Sequence, residues 1–546
     1  MSTPSAPSAR TGHSAPLALA APPALAAPSP PPSPARSGTR TRSGTRTGGG
    51  GGDIGRGYWP TVLAVASAGV MLPFSVTGAA VALPDMAARL GSSTGSAQWM
   101  LNAFNVTFAA LPLAAGGLAD RFGRRRVLLT GIALVGAMSL LVALSPSMAL
   151  ADAARAVQGC GAAAVLASGA AVLAHATSGR RRQLAFGILG TSFGTGLAIG
   201  PPLAGVLVEL AGWRSVFLLV AVMSVPAWLC ATRAPESRNP AGTALDLAGP
   251  AAFTAGLAFL SLAFVRAGAA GWAAPGTLLL LAAAVALVVL FAAVEVRLGE
   301  RAMFDVRLFR RPEFAALVCQ PFTVTLGFVV LLVYLPAYLQ GVAGRSTSAS
   351  GLLLLPMTAP VLLLPLAAAR LAARTSVRAV LTAASVLIVV GALLLTTLRG
   401  DGSWPALALP LLPFGMGVGL AFGVMDNAAV GTVPVENAGA AAGIFNTMRI
   451  TGESVAVAGA AALLTTLTAA RSTGGGLPSE AATRLAGHAV QGRVDEAHRA
   501  ALAEGFTDAF HTLGLVLAAL SALGAVLTWC ALAPRRSADR ARAPRP

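Results

Sequence analysis

Among the ionisable residues inside long apolar stretches of this sequence, four are candidates for moving or binding a proton: Arg155, Asp426, Arg449 and Glu453. A charge at the centre of a membrane-spanning helix costs about 2.5–3.5 kcal/mol, so such residues are expected to face a protein interior or water. Arg449 and Glu453 are spaced i,i+4 and therefore share one face of a helix. Glu453 is then either a proton carrier or the counter-ion of Arg449. Asp426 is a second candidate carboxylate, although its place near the end of its stretch can also put it in water.

Another group of charges marks a short polar joint between two apolar stretches. Asp120 ends one predicted helix, Gly123 permits a sharp reversal, and a cluster of arginines surrounds the turn: Arg121, Arg124, Arg125 and Arg126. Asp120 can pair with an arginine or cap the N-terminus of the following helix. Such a charged latch can differ between two conformations and gate one side of a membrane protein. The simpler alternative is a topology anchor whose acid is satisfied locally.

The residue types that usually perform catalysis or bind metals are not arranged for either task. All four cysteines lie in apolar stretches, where cysteine packs as a small hydrophobe. The five histidines form no metal-ligand spacing, and no nucleophile has a plausible base partner. The sequence contains no lysine, which excludes a phosphate-binding loop of the Gly-x4-Gly-Lys-Ser/Thr type. We therefore expect no enzyme and no cofactor, and an energy source other than ATP.

Membrane-spanning helices are the elements that must position these residues. Of 546 residues, 55% are hydrophobic and 11% are charged, whereas a soluble chain carries about 25% charged residues. A helix needs about 20 apolar residues to cross the hydrocarbon core. Fourteen stretches meet this length, and their even number places both tails on one side. They are 59–84, 98–119, 127–146, 149–173, 183–210, 214–233, 247–267, 274–296, 314–340, 350–371, 377–398, 404–431, 438–469 and 506–533.

The arginines indicate how these helices are oriented. All 39 basic residues are arginine, against 21 acidic residues, which gives a net charge of +18. With the N-terminus inside, 28 arginines fall in cytosolic segments and eight in outer segments. This positive-inside bias predicts a multi-pass protein with both termini cytosolic. It also leaves no basic module outside the membrane that could bind nucleic acid.

Composition, the predicted spans and a weak repeat of the 116–126 joint at 369–378 divide the chain into six segments. Residues 1–57 are rich in Pro, Ser, Ala, Thr and Gly and repeat the hexapeptide RSGTRT, so we expect a disordered cytosolic tail. The other predicted segments are an N-terminal six-helix half (58–233), an inserted helix pair (234–300), a cytosolic linker (301–313), a C-terminal six-helix half (314–533) and a cytosolic tail (534–546). The outer loop 471–505 is expected to contain a helix, which is either a lid or a passive connector.

Several motifs occur in an order that resembles the major facilitator superfamily. The joint at 116–126 is similar to its signature loop, and Arg155-Ala-Val-Gln158-Gly159 is similar to its second motif. Span five resembles the motif of drug:proton antiporters, with Gly196, Gly200, Pro201 and Gly205. Further matches are typical of the fourteen-spanner branch, the EmrB/QacA-type multidrug exporters. They are Asp246–Gly249, Leu335–Gln340 and Asn446–Arg449.

The resemblance implies two six-helix halves plus two inserted helices, and alternating access around a midplane cavity. It implies a monomeric, proton-coupled efflux transporter in the plasma membrane that exports drug-like or secreted organic small molecules, with a proton gradient and the lipid bilayer as its other partners. Proton coupling would use Arg155, Gln158, Asp426, Arg449 and Glu453. Cytosolic gating would use Gly116, Asp120, Arg121, Gly123, Arg124 and Arg125. The alternatives are a dedicated exporter of one endogenous metabolite or antibiotic, and a non-transporting membrane sensor or enzyme.

Two features of the sequence qualify this resemblance. Ser75 stands where these antiporters usually carry an acid in span one, which puts specificity for cationic drugs in doubt. In span five, the glycines fall on two sides of the helix. Gly187, Gly190 and Gly194 share one face with Gly205, while Gly196 and Gly200 lie opposite. These glycine faces, together with a bend expected at Pro201, either close a gate between the two halves or only allow tight static packing of the helices.

Overall fold

The computed structural model describes residues 53–92, 99–238, 248–299, 306–399, 403–474, 478–490, 494 and 499–533. Its described secondary structure is helical throughout. Several sequence predictions lie outside the described residues. These are nearly all of the N-terminal tail, the C-terminal tail, much of the linker 301–313, and the motif residue Asp246.

Seven helices precede the inserted pair. Apolar composition and capping residues set their limits; for example, Ser147 caps the fifth helix by accepting a hydrogen bond from the backbone N–H of Leu150. Helices α1–α7, which we call the N-terminal half, are α1 (Asp53–Arg89), α2 (Trp99–Ala110), α3 (Pro112–Phe122), α4 (Arg124–Ala143), α5 (Met148–Ala176), α6 (Gly179–Ala211) and α7 (Arg214–Ala231).

Eleven further helices follow in the described residues, beginning with the inserted pair α8 (Ala248–Ala270) and α9 (Pro275–Leu298). We call the remaining helices the C-terminal half. They are α10 (Pro312–Gly341), α11 (Thr347–Leu353), α12 (Leu355–Arg374), α13 (Val377–Leu394), α14 (Trp404–Phe422), α15 (Met425–Gly431), α16 (Ala438–Gly474), α17 (Ser479–Val490) and α18 (Arg499–Ala531).

The fourteen predicted spans each coincide with a helix or a broken helix. Among the described residues, twelve spans are long and apolar enough to cross a membrane. A thirteenth is the pair α2–α3, which bends by 52° at Leu111, directly before Pro112. The remaining predicted span is α8, a helix of 23 residues with an apolar stretch at Ala251–Phe264.

Contacts between helix ends divide the bundle into two sides. The start of α1 lies beside the start of α6, where the Tyr58 hydroxyl donates to the Arg181 carbonyl. The backbone N–H of Arg125, at the α3–α4 joint, donates to Glu236 just after α7. We call this the arginine-rich side. On the opposite side, Asp85 near the end of α1 accepts from the backbone N–H of Trp213, before α7.

Each half has its own hydrophobic core. One cluster of buried side chains joins helices of the N-terminal half, and another joins helices of the C-terminal half. The inserted helix α8 packs between them, since Ala252 shares a smaller cluster with Leu113 of α3 and Ile444 of α16. Thr254 of α8 donates a hydrogen bond to the carbonyl of Ala110, at the bend between α2 and α3.

The predicted helix of the outer loop is α17, which packs on the C-terminal half. Its buried face carries Ala482 and Ala486, which contact Ala469 near the end of α16. Two further buried residues of α17, Ala489 and Val490, belong to the C-terminal core. In the described residues α17 is therefore a cap attached to one half.

Candidate functional site

Arg155 of α5 lies at the centre of a buried polar network in the N-terminal half. It is 1% exposed, and its Nη1 atom donates to Gln158 Oε1 at 2.7 Å and to Ser75 Oγ at 3.2 Å. Its Nε atom lies 3.4 Å from the Met100 carbonyl oxygen, and its guanidinium carbon lies 4.1 Å from the centroid of the Phe104 ring. The prediction that Arg155 faces the bundle interior is confirmed.

Neutral groups, and no carboxylate, surround the guanidinium of Arg155. No Asp or Glu oxygen lies within 4.0 Å of it in the described part of the chain. Gln158 links the network to a fourth helix, because its Nε2 donates to Ser139 Oγ on α4 as well as to Ser75. The residue that replaces the expected acid, Ser75, is therefore a direct hydrogen-bond partner of Arg155.

A second buried charge lies in the C-terminal half, on α16. Arg449 Nη1 lies 3.9 Å from Asp426 Oδ1, and both side chains are buried. The proposed pairing of Arg449 with Glu453 is not present: among the described residues, no ion pair within 4.0 Å involves Glu453. The i,i+4 spacing puts the two residues on one face, but Asp426 comes closer because α15 packs beside α16. Asp426 is 6% exposed, so the possibility that it lies in water was wrong.

One contact of Arg449 crosses between the halves. Its guanidinium carbon lies 4.7 Å from the centroid of the Phe193 ring on α6, and Phe193 is 8% exposed. Phe193 and Asp426 also line the same small, mostly apolar cavity, together with Val65 and Leu189 of the N-terminal half. Sequence reasoning missed Phe193; its only local signal is its place next to Gly194 on the glycine face of α6.

The predicted latch joins the two halves on the arginine-rich side. Asp120 Oδ1 lies 2.7 Å from Arg124 Nη2, and the side chain of Arg124 is 2% exposed. The same carboxylate accepts hydrogen bonds from the backbone N–H groups of Gly439 at 3.0 Å and Ala440 at 2.9 Å. Arg124 Nη2 donates to the carbonyl of Val435 at 2.6 Å. Asp120 thus pairs with an arginine, as predicted, but the helix whose N-terminus it contacts is α16.

The two glycines of the predicted gating loop shape this contact, whereas two of its arginines contact their own half. Gly123 has a φ of 113°, a conformation that side chains other than glycine rarely adopt. A Cβ atom at Gly116 would overlap the carbonyl of Gly439, so α3 and α16 approach as closely as backbones can. Arg121 is exposed and lies against Phe122, while Arg125 contacts Glu236 through its backbone. Neither Arg121 nor Arg125 has a described contact with the C-terminal half.

The glycines of α6 pack against different partners along the helix. Cβ atoms at Gly190 and Gly194 would overlap the carbonyls of Phe422 and Val361 in the C-terminal half. On the other side of α6, Gly196 and Gly200 pack against α1 of the N-terminal half. A Cβ atom at Gly205, nearer the opposite side, would meet no atom within 4 Å. Helix α6 continues through Pro201 and Pro202.

These features coincide with a known family. The sequence profile of the Major Facilitator Superfamily matches residues 63–457. The chain belongs to the major facilitator superfamily. The multidrug resistance protein Stp of Mycobacterium tuberculosis is 30% identical over 383 residues, which cover 69% of this chain and 70% of Stp. The cephamycin export protein CmcT of Amycolatopsis lactamdurans is 31% identical over 435 residues, or 78% of this chain and 87% of CmcT.

Solved structures show the same fold. The proton:xylose symporter XylE superposes with a TM-score of 0.57 at 13% sequence identity, over 87% of this chain and 96% of XylE. The predicted all-helical membrane protein with the major-facilitator fold is thereby confirmed. The protein is a transporter and not an enzyme.

In this transporter, α16 presents further buried polar atoms, two of them in the Asn446–Arg449 motif, to which the sequence assigned no role. Asn446 Oδ1, Thr447 Oγ1 and Thr451 Oγ1 are buried without a hydrogen-bond partner. Asn446 is 0% exposed and Thr447 is 1% exposed. Asn446 lies one turn from Ala442 and one turn from Ile450, which both belong to the core of the N-terminal half. Its unpartnered oxygen therefore lies along the helix face by which α16 contacts the other half.

Proposed function

We propose that the protein is a proton-coupled antiporter that exports drug-like or secreted organic small molecules by alternating access. The observation that carries this proposal is the Arg449–Asp426 pair, buried where the two halves meet. A buried ion pair is a costly way to stabilise a membrane protein, because both charges lose their hydration. Its retention is explained if one partner is periodically neutralised by a proton.

The packing supports an arrangement closed on one side. On the arginine-rich side, the latch and the glycine contacts of α6 hold the halves together. We assign the arginine-rich side to the cytosol, which puts both termini there and the protein in the plasma membrane. Substrate would then leave through the opposite side, and the protein would work as a monomer in the bilayer.

The proposed proton-coupling residues fall into two groups with different surroundings. Asp426 and Glu453 are the carboxylates that can bind a proton, and Arg449 lies near both. Arg155 and Gln158 form a separate network in the N-terminal half, where they can order the hydrogen bonds of α1, α4 and α5 but offer no carboxylate. We therefore place the proton-binding step in the C-terminal half.

Efflux from cells tests the proposal. Cells that express the protein are loaded with ethidium, a cation, or carboxyfluorescein, an anion, and efflux is followed before and after an uncoupler. We expect efflux of at least one dye to cease when the gradient collapses, and Asp426→Asn to lower its rate about tenfold or more, because the variant cannot release a proton. Glu209→Gln, which neutralises an exposed carboxylate on α6, is the matched control. Efflux that persists after uncoupling would refute proton coupling.

A dedicated exporter of one metabolite or antibiotic is the second candidate. Ser75 leaves Arg155 without a carboxylate, so the usual attraction for varied cations is missing on α1. The names of the two relatives include both a multidrug resistance protein and an exporter of one antibiotic class. Drug susceptibility of expressing and deleted strains across a broad panel separates the candidates, since a dedicated exporter should change the response to one compound class alone.

A further inference from the structure

Phe193 is the aromatic side chain of the N-terminal half that contacts the buried charge pair of the C-terminal half. Its ring centroid lies 4.7 Å from the guanidinium carbon of Arg449, whose Nη1 lies 3.9 Å from Asp426. An arginine over an aromatic face is attracted by the electron-rich ring, and more strongly where water is excluded. A change in the charge of the Arg449–Asp426 pair therefore changes the interaction of Arg449 with Phe193, a residue of the other half.

The backbone around Phe193 fixes this contact. Gly190 and Gly194 let α6 approach the carbonyls of Phe422 and Val361 so closely that a methyl group would not fit. Phe193 lies between these two glycines in the sequence, so this close approach of the backbones brings its ring against the C-terminal half. Separation of the halves on the arginine-rich side would break the glycine contacts and the Phe193–Arg449 contact together.

Arg449 is held loosely enough to change partner. The 3.9 Å separation from Asp426 is longer than a hydrogen-bonded ion pair, which measures about 2.7–2.9 Å. Arg449 is the basic side chain found within 4.0 Å of Asp426 in the described residues, and Glu453 lies one helical turn beyond it on the same face of α16. A guanidinium that loses one carboxylate can therefore reach the other by rotating its side chain.

We propose that Phe193 is a positioning residue that couples the protonation of Asp426 to the closure of the arginine-rich side. While Asp426 is ionised, it holds Arg449 over the Phe193 ring and the halves stay closed. When a proton forms an O–H bond with the Asp426 carboxylate, Arg449 turns toward Glu453 and leaves the ring. The closed state then loses a contact between the halves and opens on this side. This inference rests on the proposed proton coupling.

Substitution of Phe193 separates the electrostatic role from simple packing. Phe193→Leu keeps a large apolar side chain but removes the ring face, whereas Phe193→Tyr keeps the face. Phe186→Leu is the matched control: Phe186 is equally a buried phenylalanine of α6, and the arginine near its ring is Arg182 of the same helix, at 5.8 Å. A packing role predicts similar effects at both positions, but a coupling role predicts an effect at Phe193 alone.

Distances between the halves provide the readout without any substrate. The four native cysteines of the full chain are first replaced by serine. Cysteines that carry spin labels are then introduced in place of Ser178 and Ala373. These two residues are exposed on the arginine-rich side, one in each half. Pulsed electron–electron double resonance on the protein in lipid nanodiscs then measures the distance between the two labels at alkaline and at mildly acidic pH. We expect acid to raise the long-distance population of the parent protein, of Phe193→Tyr and of Phe186→Leu by about twofold or more.

Phe193→Leu should show an elevated long-distance population at alkaline pH and little further change on acidification. An acid response of Phe193→Leu equal to that of Phe186→Leu would overturn the role of Phe193 and leave proton coupling intact. A parent protein whose distances ignore pH would overturn both the coupling and this inference. If Phe193→Leu fails to fold, loss of the acid response in Phe193→Ile, with recovery in Phe193→Tyr, decides the same question.

Discussion

The two buried arginines, Arg155 and Arg449, are stabilised in the membrane by different kinds of partner. Arg155 is surrounded by oxygen atoms of neutral groups on α1, α2 and α5, and by the Phe104 ring. Arg449 instead lies near a carboxylate and at the boundary between the halves. A charge fixed within one half suits a structural or orienting role, whereas a charge at a moving boundary can respond to conformation.

Removal of Arg155 should abolish export without preventing insertion. Arg155→Ala leaves the Gln158 Oε1 oxygen without the donor that Arg155 provides, and an unmet buried group costs about 1–3 kcal/mol. We expect efflux to fall by about tenfold or more, while the amount of protein in isolated membranes stays near the parent value. Arg155→Lys should restore efflux only in part, since lysine lacks the planar fork that reaches two acceptors.

The control for this prediction is Arg89→Ala. Arg89 forms an exposed ion pair with Asp85 in which its side chain is 61% exposed, and such pairs contribute about 0–1 kcal/mol. Its efflux should match the parent. Normal efflux by Arg155→Ala at normal membrane levels would remove Arg155 from the transport machinery.

At the scale of helices, the sequence predicts the spans better than their partners. In the described residues, runs of apolar residues located twelve spans and the bent pair α2–α3, because the bilayer demands a fixed apolar length. The same pattern contains no information on which residues meet across helices, so the Arg449–Asp426 pair and the Phe193 contact could not be predicted. The bend at Leu111 has a local signal in Pro112, whereas the break between α14 and α15 has only Gly423.

In the latch, too, the sequence predicts a contact between neighbouring residues but not one between distant residues. The pairing of Asp120 with Arg124 follows from their i,i+4 spacing across a glycine turn. Its second role, accepting two backbone N–H groups at the start of α16, joins residues more than 300 positions apart. Resemblance to a family can indicate such a contact, but the residues alone cannot.

Helix α6 should not tolerate a methyl group where its glycines meet the C-terminal half. Gly190→Ala would force a Cβ atom into the Phe422 carbonyl, and overpacking of this kind costs about 1–3 kcal/mol. Gly459→Ala, on α16, meets no atom within 4 Å and should gain stability through the higher helix propensity of alanine. The thermal midpoints of the purified proteins should therefore move in opposite directions. A stable Gly190→Ala protein would contradict the tight seal between α6 and α14.

At the scale of the whole molecule, the halves meet through three contacts on the arginine-rich side. The latch is outermost, while the glycine contacts of α6 and the Phe193–Arg449 contact lie together at a deeper level. The inserted helix α8 adds a fourth connection, since it packs on both α3 and α16 and bonds to the bend before α3. The proposed alternating-access cycle would have to break the first three contacts together, so weakening any one of them should shift the balance between the two proposed states.

The latch offers the cleanest test of this balance, because its acid can be removed without touching the membrane interior. Asp120→Ala leaves Arg124 buried without its counter-ion and leaves two N–H groups of α16 unmatched; breaking a buried pair costs about 3–5 kcal/mol. Opening of this side would relieve that cost by hydrating Arg124. A single cysteine at Ala438, which is 0% exposed in the closed state, should then react with a membrane-impermeant maleimide about tenfold faster or more in everted vesicles. Arg126→Ala is the control, because Arg126 is 72% exposed and pairs with Glu236 beside its own half. Equal labelling rates in the parent and Asp120→Ala, or an equal rise in Arg126→Ala, would show that the Asp120 contact does not hold the halves closed.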